Sequence, residues 1–257
     1  MDLKEYREGN AEQERIQDLL SLVKSGQSAL DIGARDGYLS IKLTDFFSTV
    51  TALDLEKPKI DHPSIECTQG NVCSLSFSND SFDLVLCTEV LEHIPTRFLP
   101  QACTEISRVA KRNVIIGVPY RQDTRVGRTT CYTCGEKNPP WGHVNVFDEA
   151  RLNALFPELS IEQFSFVGEN HSRTNSLSAL LMDMAGNPYG TYSQEESCVN
   201  CGSKLTRPPE RTVLQRVATR SAFLLNHIQS YFVVSRPNWI HVSLTKTSVG
   251  ENKIYKI

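Results

Sequence analysis

Asp31-Ile32-Gly33-Ala34-Arg35-Asp36-Gly37 closes an apolar run that begins at Ser28 and opens a helical pattern through Leu39, Ile41 and Leu43. Strand, glycine turn and helix in that order start a βαβ chain, and the glycines let backbone lie close to a ligand. Asp54 ends the next predicted strand, Thr49 to Leu55. It lies about 20 positions on, where an acidic side chain can accept ribose hydroxyls. The turn is not G-x-G-x-x-G, which disfavours a dinucleotide with a pyrophosphate to cradle. Taken alone it also fits an ordinary tight connection with Asp54 merely solvated.

Outward from this turn the alternation continues. Ile16, Leu19, Leu20 and Leu22 predict a helix over 11–25, ahead of the first strand. A third short unit leads to Gly70-Asn71-Val72. A fourth strand, Phe82 to Cys87, follows the turn formers Asn79-Asp80-Ser81, and a helix from Arg97 to Ala110 separates it from a fifth strand, Val114 to Val118. Strands alternating with helices imply a parallel sheet covered on both sides. After Pro119 the texture changes: residues 120–146 are polar and loop-like, too long for a plain connection. A helix over 148–156, a strand over 161–167, turn formers over 187–209 and a long helix over 211–232 come next. The last strand is Trp239 to Leu244, where alternation predicts a partly exposed position.

The chain has 257 residues, 40% hydrophobic and 22% charged, enough for a full core, and is read as a single domain over 1–257 with segments 120–146 and 187–209 as an insertion. Net charge −3 and a pI of about 6.1 give no global pull toward nucleic acid or an anionic membrane, although a local basic patch stays open. MDLKEYREGN carries no apolar run behind it, and no stretch approaches the roughly 18 apolar residues of a membrane span. The expectation is a cytoplasmic protein without a membrane partner. Its eight cysteines are then thiols or metal ligands rather than disulfides.

Taken together, DIGARDG (31–37), ALDLE (52–56), GNV (70–72) and SFDLVLCTEVLEHIP (81–95) resemble the ordered motif series of class I S-adenosylmethionine-dependent methyltransferases, closely over residues 14–120. The resemblance implies a doubly wound α/β fold, a seven-stranded Rossmann-like sheet with an insertion after strand five. It implies that Gly33, Ala34 and Gly37 lie against the methionine and ribose part of the cofactor. Asp31 would anchor the amino group, Asp54 and Leu55 the ribose, and Asn71 and Val72 the adenine. Cys87 to Glu89 would form the floor beneath the methyl group. Two positions depart from the pattern. The middle glycine is Arg35, whose role stays open, and the usual acid after Gly70 is Asn71, whose side-chain oxygen still accepts from an adenine amino group.

Methyl transfer from a sulfonium needs alignment, exclusion of water and removal of the acceptor's proton. Glu89, Glu92 and His93 share one side of the chain if the turn after strand four is helical, and His143 follows in the loop after strand five. Three readings stand. The set, with His143, Glu89 and His93 as its catalytic candidates, resembles the divalent-metal ligands of small-RNA 2′-O-methyltransferases and some ubiquinone-pathway O-methyltransferases; it is structural; or His143 or His93 is a metal-free base.

Cys131-Tyr132-Thr133-Cys134-Gly135 and Cys198-Val199-Asn200-Cys201-Gly202 repeat one pattern, C-x-x-C-G. Two such knuckles close a four-sulfur shell, the signature of a structural zinc rather than a redox dithiol. The clip is expected to shape a lid over the acceptor, lined by Arg121, Arg125, Arg128 and Trp141. A hydroxyl of a small molecule or glycan is the first acceptor. RNA is second, on the strength of Lys204, Arg207, Arg211, Arg216 and Arg220. A third class is a non-catalytic, zinc-stapled partner protein.

Overall fold

The computed structural model describes residue 7 and residues 9–246. Two compact units divide them. The first runs to Tyr120 and resumes over Phe147–Gly168 and from Asn238; the second comprises Arg121–Val146 and Glu169–Pro237.

The first unit is built on seven strands: β1 (Gly26–Ile32), β2 (Phe47–Asp54), β3 (Ile65–Gln69), β4 (Phe82–Thr88), β5 (Ala110–Pro119), β8 (Leu159–Val167) and β9 (Trp239–Lys246). Their order is β3-β2-β1-β4-β5-β9-β8. The first five are parallel, and β9 runs antiparallel to both β5 and β8. All seven residues of β4 are buried, as a central parallel strand requires. Alternate residues supply two cores. Leu30, Ile32, Val85, Val114 and Ile116 pack with Ile106 of α3 (Leu99–Val109) and Leu152 of α4 (Glu149–Leu155). Ala29, Leu84, Leu86 and Ile115 pack with Leu19 of α1 (Asn10–Ser21) and Leu43 of α2 (Tyr38–Leu43). The two sets alternate because successive strand side chains point to opposite sides.

One expectation needs correcting. Strand β9 is not partly exposed: residues 240–244 are all buried, because the strand sits inside the sheet. Its alternation comes from polar residues that find buried partners. His241 Nδ1 lies 2.5 Å from Asp18 Oδ2, and Ser243 Oγ donates to Glu162 at 3.1 Å.

The second unit holds a two-stranded ladder, β6 (Thr129–Thr130) with β7 (Lys137–Asn138), and the helices α5 (Ser176–Met184) and α6 (Val213–Ser230). Helix α6 starts at a capping box between Thr212 and Gln215. Helix α5 follows Asn175, whose side chain accepts the Ser178 N–H at 2.8 Å. Sequence periodicity did not find α5. Among the described residues no helix is long and apolar enough to cross a membrane.

Candidate cofactor and metal sites

In the first unit, the residues singled out around the glycine turn meet at one edge of the sheet. Asp31 pairs across to Ala52 and Leu86, and Ile32 to Leu53 and Cys87, so the carboxyl ends of β1, β2 and β4 open together. Gly33 has φ +81°, and a Cβ there would stand 2.3 Å from Val90 Cγ2, so only glycine fits. Arg35 takes the left-handed bend at φ 47° with its side chain exposed. Its contribution is backbone: the Arg35 N–H donates to Asp54 Oδ2 at 2.9 Å, while Leu55 N–H donates to Asp54 Oδ1 at 2.6 Å. Asp54 is therefore oriented by two amides, each oxygen keeping a lone pair for a diol. Ala34 and Val72 are buried, and Leu55 and Asn71 are exposed. The Asn71 oxygen accepts the Cys73 N–H at 2.9 Å, and Cys87 is a buried thiol pushed well up by desolvation.

Asp31 is 2% exposed, and its nearest polar partner is the Ser40 hydroxyl, which donates at 2.6 Å. Burial pushes its pKa up to about 6, with the Ser40 hydrogen bond opposing and the charge of Asp54 adding. A buried carboxyl of this kind fits a ligand ammonium. Its folded pKa lies above the unfolded value, so the chain holds a proton at pH 5 that the unfolded chain has lost. This group's cost to folding, roughly 3 kcal/mol, appears as pH rises through 6. An ammonium binds the ionised form, so affinity should climb up to about tenfold per pH unit from pH 5 to 6 and level off near pH 7. Calorimetry with the cofactor in buffers of different ionisation enthalpy would register proton release below pH 6. Asp31→Asn would abolish it, and pH-independent affinity in the native chain would remove Asp31 from the site.

After β4 the backbone makes successive turns rather than a helix: His93 N–H reaches Val90 O at 3.0 Å, and Glu89 sits at φ 55°. Glu92 is fully buried with both oxygens unpartnered among the described residues, whereas its neighbour His93 is exposed. Burial, then the charge of Glu89, holds the Glu92 carboxyl well above the usual range. Glu89 is also raised by burial, with Arg15 pulling the other way, Glu12 adding, and the Trp239 indole N–H opposing.

Sequence reasoning missed Glu12 and Arg15. They form a buried ion pair on α1, Arg15 Nη2 to Glu12 Oε1 at 2.6 Å, and the Arg15 guanidinium stands 5.8 Å from the Trp239 ring centre. The signal was present: Glu12, Arg15, Ile16 and Leu19 share one helix side, so a charged pair lies in an apolar stripe.

The second unit contains the four cysteines and His143. The four Sγ atoms lie within 4.8 Å of one another, with Cys131 to Cys201 and Cys134 to Cys198 at 3.6 Å. Zn–S bonds of about 2.3 Å in a tetrahedron put sulfurs roughly 3.8 Å apart, so this donor set fits zinc. The knuckles repeat bond for bond. Gly135 N–H donates to Cys131 O at 2.8 Å and Gly202 N–H to Cys198 O at 2.9 Å, while Cys131 N–H reaches Glu136 O and Cys198 N–H reaches Ser203 O, both at 2.9 Å. Hydrogen bonds from the Ser203 hydroxyl and N–H bring the Cys201 thiol down to about 6. The Cys134 N–H lowers Cys131. These two shifts favour the thiolates a metal needs, whereas Cys134 is pushed up to about 11, the Glu136 N–H opposing and burial with the neighbouring Cys201 and Cys198 prevailing.

His143 is buried, and its Nδ1 lies 2.7 Å from Gln122 Oε1. With that oxygen accepting, the proton sits on Nδ1 and Nε2 is the basic nitrogen. Arg125 and Arg128 line a cavity of about 240 Å³ within this unit, but their guanidiniums are committed to Asp123 and Asp183.

Residues 30–117 match the family model described as a methyltransferase domain. No curated protein matches the chain. A solved chain from the complex between the Haloferax volcanii Trm112 methyltransferase activator and its candidate methyltransferase is 13% identical, with TM-score 0.55 over 96% of this chain and 94% of that one. A candidate methyltransferase of Bacillus halodurans C-125 is 14% identical, with TM-score 0.57 over 91% of this chain and 99% of its own. The YcgJ protein of Bacillus subtilis is 14% identical, with TM-score 0.55 over 90% and 97%. These likenesses establish a shared fold.

Proposed function

We propose, on the premise that this chain is a class I S-adenosylmethionine-dependent methyltransferase with its family domain at residues 30–117, that it methylates a hydroxyl of a small molecule or glycan. The observation that carries this reading is the single sheet edge at which Asp31, the Gly33 bend and Asp54 meet, with Glu89 directly following the end of β4.

Bound at that edge, the cofactor supplies an electrophilic methyl group. The chain's residues do the rest. Asp54, oriented by the amides of Arg35 and Leu55, holds the ribose diol. Asp31 takes the ammonium, Asn71 and Val72 flank the adenine, and Cys87 forms the closed floor. Glu89 is the base: burial raises its carboxyl, which makes it a better proton acceptor, with Arg15 and the Trp239 indole opposing the shift. A base suits a hydroxyl, which must lose its proton as the methyl arrives.

Calorimetry with S-adenosylmethionine and S-adenosylhomocysteine, followed by label transfer to a panel of hydroxyl-bearing glycans, small molecules and RNA, tests the reading. Micromolar affinity for both cofactor forms and label in the first two classes are expected. Absence of affinity would leave a cofactor-free, non-catalytic protein, and label in RNA alone would replace the acceptor.

A further inference from the structure

We propose that the hairpin of α5 and α6 is a docking surface for an anionic lipid bilayer, on which the helices lie without crossing it. The inference is independent of the acceptor reading.

Both helices are inside out. On α6 the residues turned inward are Thr219 and Ala222, at 2% and 0% exposure, while Leu224 and Ile228 stand 60% and 50% exposed. At 100° per residue, Val213, Val217, Leu224 and Ile228 fall within an arc of about 60°, an apolar stripe facing away from the unit's interior. Tyr231, Phe232 and Val234 extend it beyond the helix, all exposed. On α5 the buried residues are Ser178 and Ala179, and Leu177, Leu180 and Met184 are exposed at i, i+3 and i+7. The hairpin is joined partly by polar groups: Asn175 Nδ2 donates to Gln229 Oε1 at 2.8 Å and Thr174 Oγ1 to Asn226 Oδ1 at 3.0 Å. The apolar side chains are thus left for something outside the chain.

Charge decides which occupant fits. Residues 204–236 carry Lys204, Arg207, Arg211, Arg216, Arg220 and Arg236 against Glu210 alone, in a chain of net charge −3. Arg216 and Arg220 are exposed one turn apart on the border of the stripe. An apolar stripe bordered by arginines is the pattern of a helix lying in the membrane interface, with its side chains among the acyl chains and its guanidiniums at the phosphates. A second copy of the chain would set these arginines against their own symmetry mates, which disfavours self-association through this surface. The sequence expectation of no membrane partner rested on the absence of a spanning segment and on global charge. Neither bears on a helix that lies flat.

The test is co-sedimentation of the full zinc-loaded chain with vesicles of phosphatidylcholine plus phosphatidylglycerol, and with phosphatidylcholine alone. Binding to the anionic vesicles is expected to be at least about tenfold stronger than to the neutral ones and to weaken in high salt. Leu224→Glu with Ile228→Glu should remove at least about nine-tenths of it, while Arg216→Gln with Arg220→Gln should remove only the anionic preference. These positions are exposed, and unchanged zinc content and thermal unfolding would certify folding. Equal sedimentation of the native chain and the glutamate variant overturns the proposal, as does no sedimentation at all. A concentration-dependent dimer in analytical ultracentrifugation that the glutamate variant dissociates would assign the surface to a second copy instead.

Discussion

Cys198→Ser is expected to cost the chain about one equivalent of zinc and to unfold the second unit while leaving the seven-stranded sheet intact. The reason lies in what that unit buries. Its hydrophobic cluster consists of Cys131, Cys198 and Leu205, with Tyr192 against it. Two of those three residues belong to the four clustered thiols, so on the zinc reading a metal shell would take the place of a core. Structural zinc sites contribute about 10–16 kcal/mol in small peptides at neutral pH, as much as the whole stability of many domains. Serine preserves size and polarity but binds zinc poorly. Metal analysis together with hydrogen exchange would read the result: loss of zinc, and fast exchange over 121–146 and 169–237 with slow exchange retained in β1, β4 and β5. Full zinc content with unchanged exchange in the variant would show that the four sulfurs are not a metal shell.

The second large effect is expected at Asp54. Replacing it by alanine removes two charge-assisted hydrogen bonds to the ribose, each worth about 1.5–3 kcal/mol, so cofactor affinity should fall by roughly 10²–10⁴-fold. It also strips the partners from the Arg35 and Leu55 amides, and the left-handed bend at Arg35 loses the contact that holds it. Asp54→Asn keeps one acceptor oxygen and should lie in between. Titration calorimetry separates the three proteins. Native affinity in Asp54→Ala would exclude the ribose role.

The parallel sheet was legible because β1 and β4 are short apolar runs bounded by turn formers, and the clustering of four cysteines because C-x-x-C-G occurs twice. Both patterns are local. What escaped was set by tertiary partners. His241 and Ser243 read as a solvent-facing alternation, yet they are buried against Asp18 and Glu162, residues distant in the chain. The burial of the Glu12–Arg15 pair follows from the packing of α1 against the end of β4 and Trp239. Helix α6 was found by its period, but a period gives the apolar stripe and not its direction. Only burial shows that Thr219 and Ala222 face inward and Leu224 faces out. Helix α5 is nine residues long, too short for its period to stand above the surrounding loop.

The placement of β9 orders synthesis as well as structure. The strand lies between β5 and β8, yet both partners precede it in the chain, and residues 169–237 intervene. On the ribosome a nascent chain that has already extruded β8 still has an unfilled slot beside β5, where the backbone of Val114 to Val118 waits for Ile240 to Leu244. The cysteine unit emerges whole before that slot can close. A stalled chain ending near residue 237 would carry all four clustered cysteines while the sheet still has an unfilled slot, the state in which chaperones are most needed.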